Sequence, residues 1–120
     1  MKEVLDNFGK LLISHVRDRT ISHYQQMAYG KRQGLHKQKI VSLTDENKKL
    51  IEDIVFQTVD EAIFNLLNMF EEYEENVELI CKDKEGNKYD IEKISDGIMG
   101  ELFTEDGWIA KFSKYEEKNS

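Results

Sequence analysis

The longest uninterrupted apolar pattern in the chain runs from Leu50 to Phe70, and it fixes the largest element any fold of this sequence must contain. Leu50, Ile51, Ile54, Val55, Val59, Ala62, Ile63, Leu66, Leu67 and Phe70 recur at the three-to-four spacing of a helix. Just upstream, Ser42 or Thr44 can cap the free amides, and Asp45 and Glu46 stand where the helix dipole favours negative charge. These signals predict one helix from about Asp45 to about Glu72. The chain has no proline to interrupt it. The stripe is wide enough to touch neighbours on more than one side, so this should be the central helix. Two features are out of keeping with a plain core helix. Asp60 lies within the stripe, either as a buried acid able to serve as a base or as the partner of an arginine on another helix. At the far end Glu71, Glu72, Glu74 and Glu75 put negative charge where the dipole prefers cations, so fraying is expected there.

A second amphipathic pattern precedes it. Val4, Leu5, Phe8, Leu11, Leu12 and Val16, continuing through Ile21, Tyr24, Met27 and Ala28, predict a helix that stops at Gly30, with a break near Thr20 where a β-branched pair weakens the pattern. On it His15, Arg19 and His23 share a face at steps of four. Two histidines eight residues apart are separated by about 12 Å of helix rise, too far to chelate one ion. The stripe either grips an anionic group of a partner or pairs with acids of the central helix such as Asp60 or Glu61. Residues 30–39, with Lys31, Arg32, Lys37 and Lys39, read as an exposed connector.

Beyond the central helix, Val77–Lys82 and Lys88–Ile94 alternate as two strands, and Lys84-Glu85-Gly86-Asn87 supplies a tight turn. Asp83–Asn87 has a superficial likeness to a calcium loop, but its glycine falls at the fourth position rather than the sixth, and Ile94 stands where the bidentate acid belongs. The stretch from Ser95 to Ser113 interleaves three glycines and four acids with Trp108, Phe103, Phe112 and aliphatic side chains, which implies a compact, specifically folded segment. Within it Trp108–Phe112 fits a strand or a helical turn begun by Asp106; the helical reading is preferred. The fold class is therefore α+β: two long helices packed on a β-hairpin, or on a small antiparallel sheet, with a compact Gly/aromatic C-terminal segment. Residues 1–120 form a single domain, with 116–120 as a solvated end.

Several chemistries find no support. The one cysteine, Cys81, excludes an internal disulfide and a Cys-based zinc site. No apolar run is long enough to span a membrane, and acids stand where a signal peptide would be apolar, so a cytosolic protein is expected. There is no His-Glu-x-x-His, nucleophile-elbow or phosphate-cradling pattern, and no cofactor motif. Residues 1–43 carry +5 and residues 44–120 carry −12, for a net charge of −7. That balance would repel a polyanion from most surfaces, and the basic connector has no aromatic platform, so nucleic-acid binding is poorly supported.

The tail pattern Ser-Asp-Gly-x-x-Gly-Glu-Leu-Phe-x-Glu-Asp-Gly-Trp-Ile-x-x-Phe-Ser, with Phe8-Gly9-Lys10-Leu11-Leu12 and Val16-Arg17-Asp18-Arg19 upstream, resembles that of a family of small bacterial proteins without an established activity. The resemblance implies a bacterial cytosolic origin and carries no catalytic residues across. In size and acidity the chain is similar to immunity proteins that neutralise secreted toxins, an analogy of class rather than of motif. Two functions stay open. The leading expectation is an acidic, immunity-like interaction module that binds a basic protein through Glu71, Glu72, Glu74 and Glu75 together with Glu101, Glu105 and Asp106. The alternative is a small-ligand protein or enzyme with a pocket near His15, Arg19, Asp60 and Glu101.

Overall fold

A computed structural model describes residues 1–115, so the solvated end expected for 116–120 lies outside the described residues. Two long helical stretches, residues 2–29 and 45–72, pack with a short antiparallel hairpin and a C-terminal Gly/Trp-rich region. The first stretch is α1 (Lys2–Leu12), a π-helical segment (Ile13–Asp18) and α2 (Arg19–Tyr29); α3 (Lys37–Val41) leads into the central helix α4 (Asp45–Glu72). The Thr44 hydroxyl caps α4 by accepting from the Asn47 amide at 3.2 Å, which selects Thr44 over Ser42.

The break in the first stretch falls at Ile13–Asp18 rather than near Thr20, and it is a widening rather than an interruption. Gly9, Ile13, Arg17 and Ile21 are all buried, at steps of four. A regular helix of 3.6 residues per turn would rotate such a series away from its neighbour; the i→i+5 bonding of a π segment holds it in register. Ser14 and Thr20 bond back to the Lys10 and Val16 carbonyls at 2.7 and 2.6 Å, so side-chain hydroxyls serve carbonyls at both ends of the widened turn. The shift has a cost for the sequence pattern. Leu11 and Val16, expected inward, are 49% and 44% exposed, whereas Arg17 is fully buried.

Strands β1 (Ile80–Lys82) and β2 (Lys88–Asp90) pair antiparallel with Cys81 opposite Tyr89. Their loop is organised by Asp83, whose carboxylate accepts from the Glu85 and Asn87 amides and from the Asn87 side chain, and by Gly86 at φ 88°. These bonds, led by that from the Asn87 side chain, hold the Asp83 carboxyl below its usual range. Both strands are shorter than their alternation predicts, the first beginning at Ile80 rather than Val77 and the second ending at Asp90 rather than Ile94. After Asp90 the chain turns into α5 (Ile91–Ile94), because the Asp90 carboxylate accepts from the Glu92 amide at 3.0 Å and so starts a helical turn.

Two further turns of helix, α6 (Gly100–Phe103) and α7 (Trp108–Phe112), close the molecule. Trp108–Phe112 is helical, with Gly107 rather than Asp106 at its N-cap. One core unites Val4, Leu5, Leu12 and Ile13 with Ile63 and Leu67 of α4, Ile91, Ile98, Leu102, Trp108 and Ile109. It therefore draws on the C-terminal half of α4. The N-terminal half of α4 packs against α2, where Ile21, Tyr24, Ala28 and Phe56 are buried and the Tyr24 hydroxyl donates to the Lys48 carbonyl at 2.8 Å, while the Phe56 ring also meets Arg17 and Tyr115.

Candidate functional site

The acidic end of α4 is where charge and shape coincide. No basic side chain lies in its last turn, and Tyr73 ends the helix at φ −115°, its amide bonded to the Met69 carbonyl. Glu71, Glu72, Glu74 and Glu75 are all exposed. The chain then turns through Val77 and Glu78 into β1, while the Asp90 cap fixes α5 alongside. The result is a cleft of about 230 Å³ lined by Glu74, Glu75, Val77, Glu78, Asp90, Glu92 and Lys93. Five of these are acids and Lys93 is the only base.

Glu92 is the residue that gives this cleft chemical character. Among the described residues its buried Oε1 has no hydrogen-bond partner. Burial, and after it the negative charges of Glu71, Asp90 and Glu74, raise its carboxyl above the ordinary glutamate range. Such a cleft offers a cation what it lacks inside the chain, a partly desolvated carboxylate among like charges. The same physics predicts a stability effect. A raised folded-state value means that Glu92 favours folding below its unfolded value and loses that contribution as pH rises through the folded one. Glu92→Gln should therefore be the more stable protein at pH 7, by about 1 kcal/mol or less, with the advantage gone below about pH 4, measured by urea unfolding across pH. Equal stability of the two proteins at pH 7 would contradict it.

The sequence picked out Glu74 and Glu75 of this cleft and the neighbouring Glu71, but missed Glu78, Asp90, Glu92 and Lys93. The available signal was Asp90 preceding Ile91-Glu92-Lys93-Ile94, a helix-start pattern that the strand alternation masked. The tail acids stand apart from the cleft lining. Glu105 and Asp106 are exposed in the turn between α6 and α7, and half-buried Glu101 is approached by the Ser95 hydroxyl at 3.5 Å.

The four residues of the alternative pocket have separate surroundings. His15 is exposed with its Nδ1 2.9 Å from the Ser14 hydroxyl, and Arg19 is exposed. Among the described residues no hydrogen bond or ion pair joins any two of His15, Arg19, Asp60 and Glu101, and no group of three His, Cys, Asp or Glu side chains is arranged to hold a metal ion. Asp60 pairs with Arg17, a residue for which the sequence suggested no role. Arg17 Nε and Nη2 donate to its two oxygens at 2.5 and 3.3 Å, and Nη1 donates to the Ser113 hydroxyl at 2.9 Å. Ser113 in turn donates to Asp18 at 2.7 Å, the Lys114 amide donates to the other Asp18 oxygen at 2.9 Å, and the guanidinium lies 5.3 Å from the Phe56 ring centre. This is a clasp that ties the tail to both long helices.

The basic connector is more ordered than its composition implied. Lys37 donates to the Met27 and Gly30 carbonyls, both at 2.8 Å, and so caps the C-terminus of α2, as the helix dipole favours. Lys31, Arg32 and Lys39 are exposed.

No protein-family model, curated protein or solved structure matches this chain.

Proposed function

We propose that the chain is a protein-interaction module of the immunity-like kind, which receives a basic side chain of a partner protein in the acidic cleft at the end of α4. The observation that carries the reading is the buried Glu92 oxygen, without a hydrogen-bond partner among the described residues, in the lining of a cleft with four other acids. A lysine or arginine entering there would satisfy Glu92, neutralise Glu74, Glu75 and Glu78, and lower the repulsion that raises the Glu92 value. Long-range attraction to the −7 chain would speed encounter, and salt would slow it. Glu101, Glu105 and Asp106 would contribute to this field without lining the cleft.

The test is a pull-down from the source cell at low salt with the wild-type chain and with a Glu74→Lys, Glu78→Lys variant, chosen because both positions carry exposed acids. A basic protein retained by the first, lost by the second and released by raised salt is the expected result. If low salt recovers no basic protein, or the charge-reversed chain retains it equally, the reading fails.

A further inference from the structure

Among the described residues three pairs of aromatic rings meet, and in two of them one ring belongs to the interior: Trp108 with Phe8, and Phe56 with Tyr115. The third pair lies open. Phe64 of α4 and Phe103 at the end of α6 are 38% and 44% exposed, with ring centres 6.3 Å apart and planes inclined by 35°. The core takes their neighbours Ile63 and Leu102 instead. These two rings also differ from other aromatics of the chain in what faces them. Phe56, Tyr29, Phe112 and Tyr115 each have a cation of the same chain 5.0 to 5.7 Å from the ring centre, whereas none stands over Phe64 or Phe103 among the described residues. The reason is in the sequence. No Lys, Arg or His occurs between Lys49 and Lys82 or between Lys93 and Lys111, and the two stretches hold nine and four acids. Phe64 belongs to the first stretch and Phe103 to the second, so their contact joins two acidic, base-free segments. Of those acids only Asp53 and Asp60 have a basic partner among the described residues, Lys49 and Arg17. Exposed Glu61 stands one helical turn before Phe64, and exposed Glu105 and Asp106 follow Phe103 in its turn. Ring faces are electron-rich, and with carboxylates beside them they attract a cation carried on an apolar stem.

Position ties this pair to the acidic cleft. Phe64 and Glu71 are seven residues apart, so they share a face of α4 to within about 20° and lie about 10 Å apart along it. Glu71 in turn is near enough to the cleft for its charge to act on Glu92. The aromatic pair thus stands on the cleft side of α4, about 15 Å along the chain axis from the lining residue Glu74. We propose that Phe64 and Phe103 seat an arginine of the same basic partner protein whose other basic side chain enters the cleft. The inference rests on the proposed function for the existence of that partner and adds a chemical requirement to it. Arginine suits the pair better than lysine, because its guanidinium is planar and weakly hydrated and stacks on ring faces while its N–H groups stay free for flanking carboxylates. The cleft, lined by acids without exposed rings, makes no such distinction. A span of about 10–15 Å corresponds to about four residues of extended chain or about two to three turns of helix in the partner.

Hexa-arginine and hexalysine, each about 20 Å long when extended, reach both places and serve as probes, read by fluorescence anisotropy at low salt. A Phe64→Leu, Phe103→Leu variant keeps apolar side chains at both positions and removes the ring faces; because both rings are exposed, its circular dichroism should match that of the wild type. This variant should bind hexa-arginine about three- to fivefold more weakly than the wild type does, while its affinity for hexalysine stays within about twofold. Glu74→Lys, Glu78→Lys should weaken both peptides and leave the phenylalanine dependence of hexa-arginine binding in place. The arginine seat is overturned if hexa-arginine does not bind the wild type, if the leucine variant loses the two peptides equally, or if it loses neither. A second copy on the pair would overturn it too, and would show in sedimentation as a wild-type dimer that the leucine variant does not form. A cleft variant that binds both peptides as the wild type does sinks the cleft reading alone, because the preference for arginine does not pass through Glu74 or Glu78.

Discussion

Replacing Asp60 with alanine is expected to destabilise the protein by about 3 kcal/mol, measured by urea unfolding at pH 7. The Arg17 side chain is fully buried and that of Asp60 is 16% exposed, so the deletion leaves a guanidinium without its main counter-charge in the interior. The figure sits at the lower end of the range for breaking a buried pair because Arg17 keeps Asp18 at 3.7 Å and the bond to Ser113. Because Asp18 also holds the Lys114 amide, the loss should spread to the tail and show as faster hydrogen exchange at that amide. Removing both partners, as Arg17→Met with Asp60→Leu, should recover most of the stability, since two apolar groups ask nothing of the interior. An Asp60→Ala protein within about 0.5 kcal/mol of wild type would show that water reaches Arg17 and that the clasp contributes little.

The same pair shows what the sequence could and could not disclose. That Asp60 would meet an arginine of the first helix follows from its place in an apolar stripe, but the arginine expected from straight-helix geometry was Arg19. One widened turn moves the facing position to Arg17 and exposes Val16, and nothing in Ile13–Asp18 announces a π segment, because its bonds are fixed by packing rather than by local preference. The α4 helix was legible from end to end, since periodicity, cap and absent proline all agree there, whereas short elements were not. The strand expected over 88–94 gives way at Asp90, where a single side-chain cap outweighs two residues of alternation. The cleft was half legible for a related reason. Glu74 and Glu75 are contiguous in sequence just beyond α4, but Glu78, Asp90 and Glu92 join them only through the hairpin and the turn that follows.

The second large effect concerns Gly9 and Trp108, and it takes the form of a coupling. Trp108 is fully buried, edge-on to Phe8 at 5.7 Å between ring centres, and its indole packs on Gly9 so closely that a Cβ there would come within 2.4 Å of the ring atoms. Trp108→Ala should lose about 3–5 kcal/mol through the cavity it leaves. Trp108→Phe should lose less, because the indole Nε1 has no hydrogen-bond partner among the described residues and phenylalanine removes that donor. For Gly9→Ala two terms oppose each other. Alanine gains about 1 kcal/mol over glycine within a helix, while forcing a methyl into the indole costs about 1–3 kcal/mol or more because ring and backbone must both move. In the wild-type background overpacking should win and Gly9→Ala should destabilise. In the Trp108→Ala background the methyl enters vacated space, only the propensity term remains, and the same substitution should become neutral or stabilising. A double-mutant cycle by urea unfolding reads the difference as a coupling of about 2 kcal/mol or more. Additive effects would mean that α7 does not press on α1 at Gly9, and would remove the close approach as the reason a glycine occupies the middle of an otherwise regular helix.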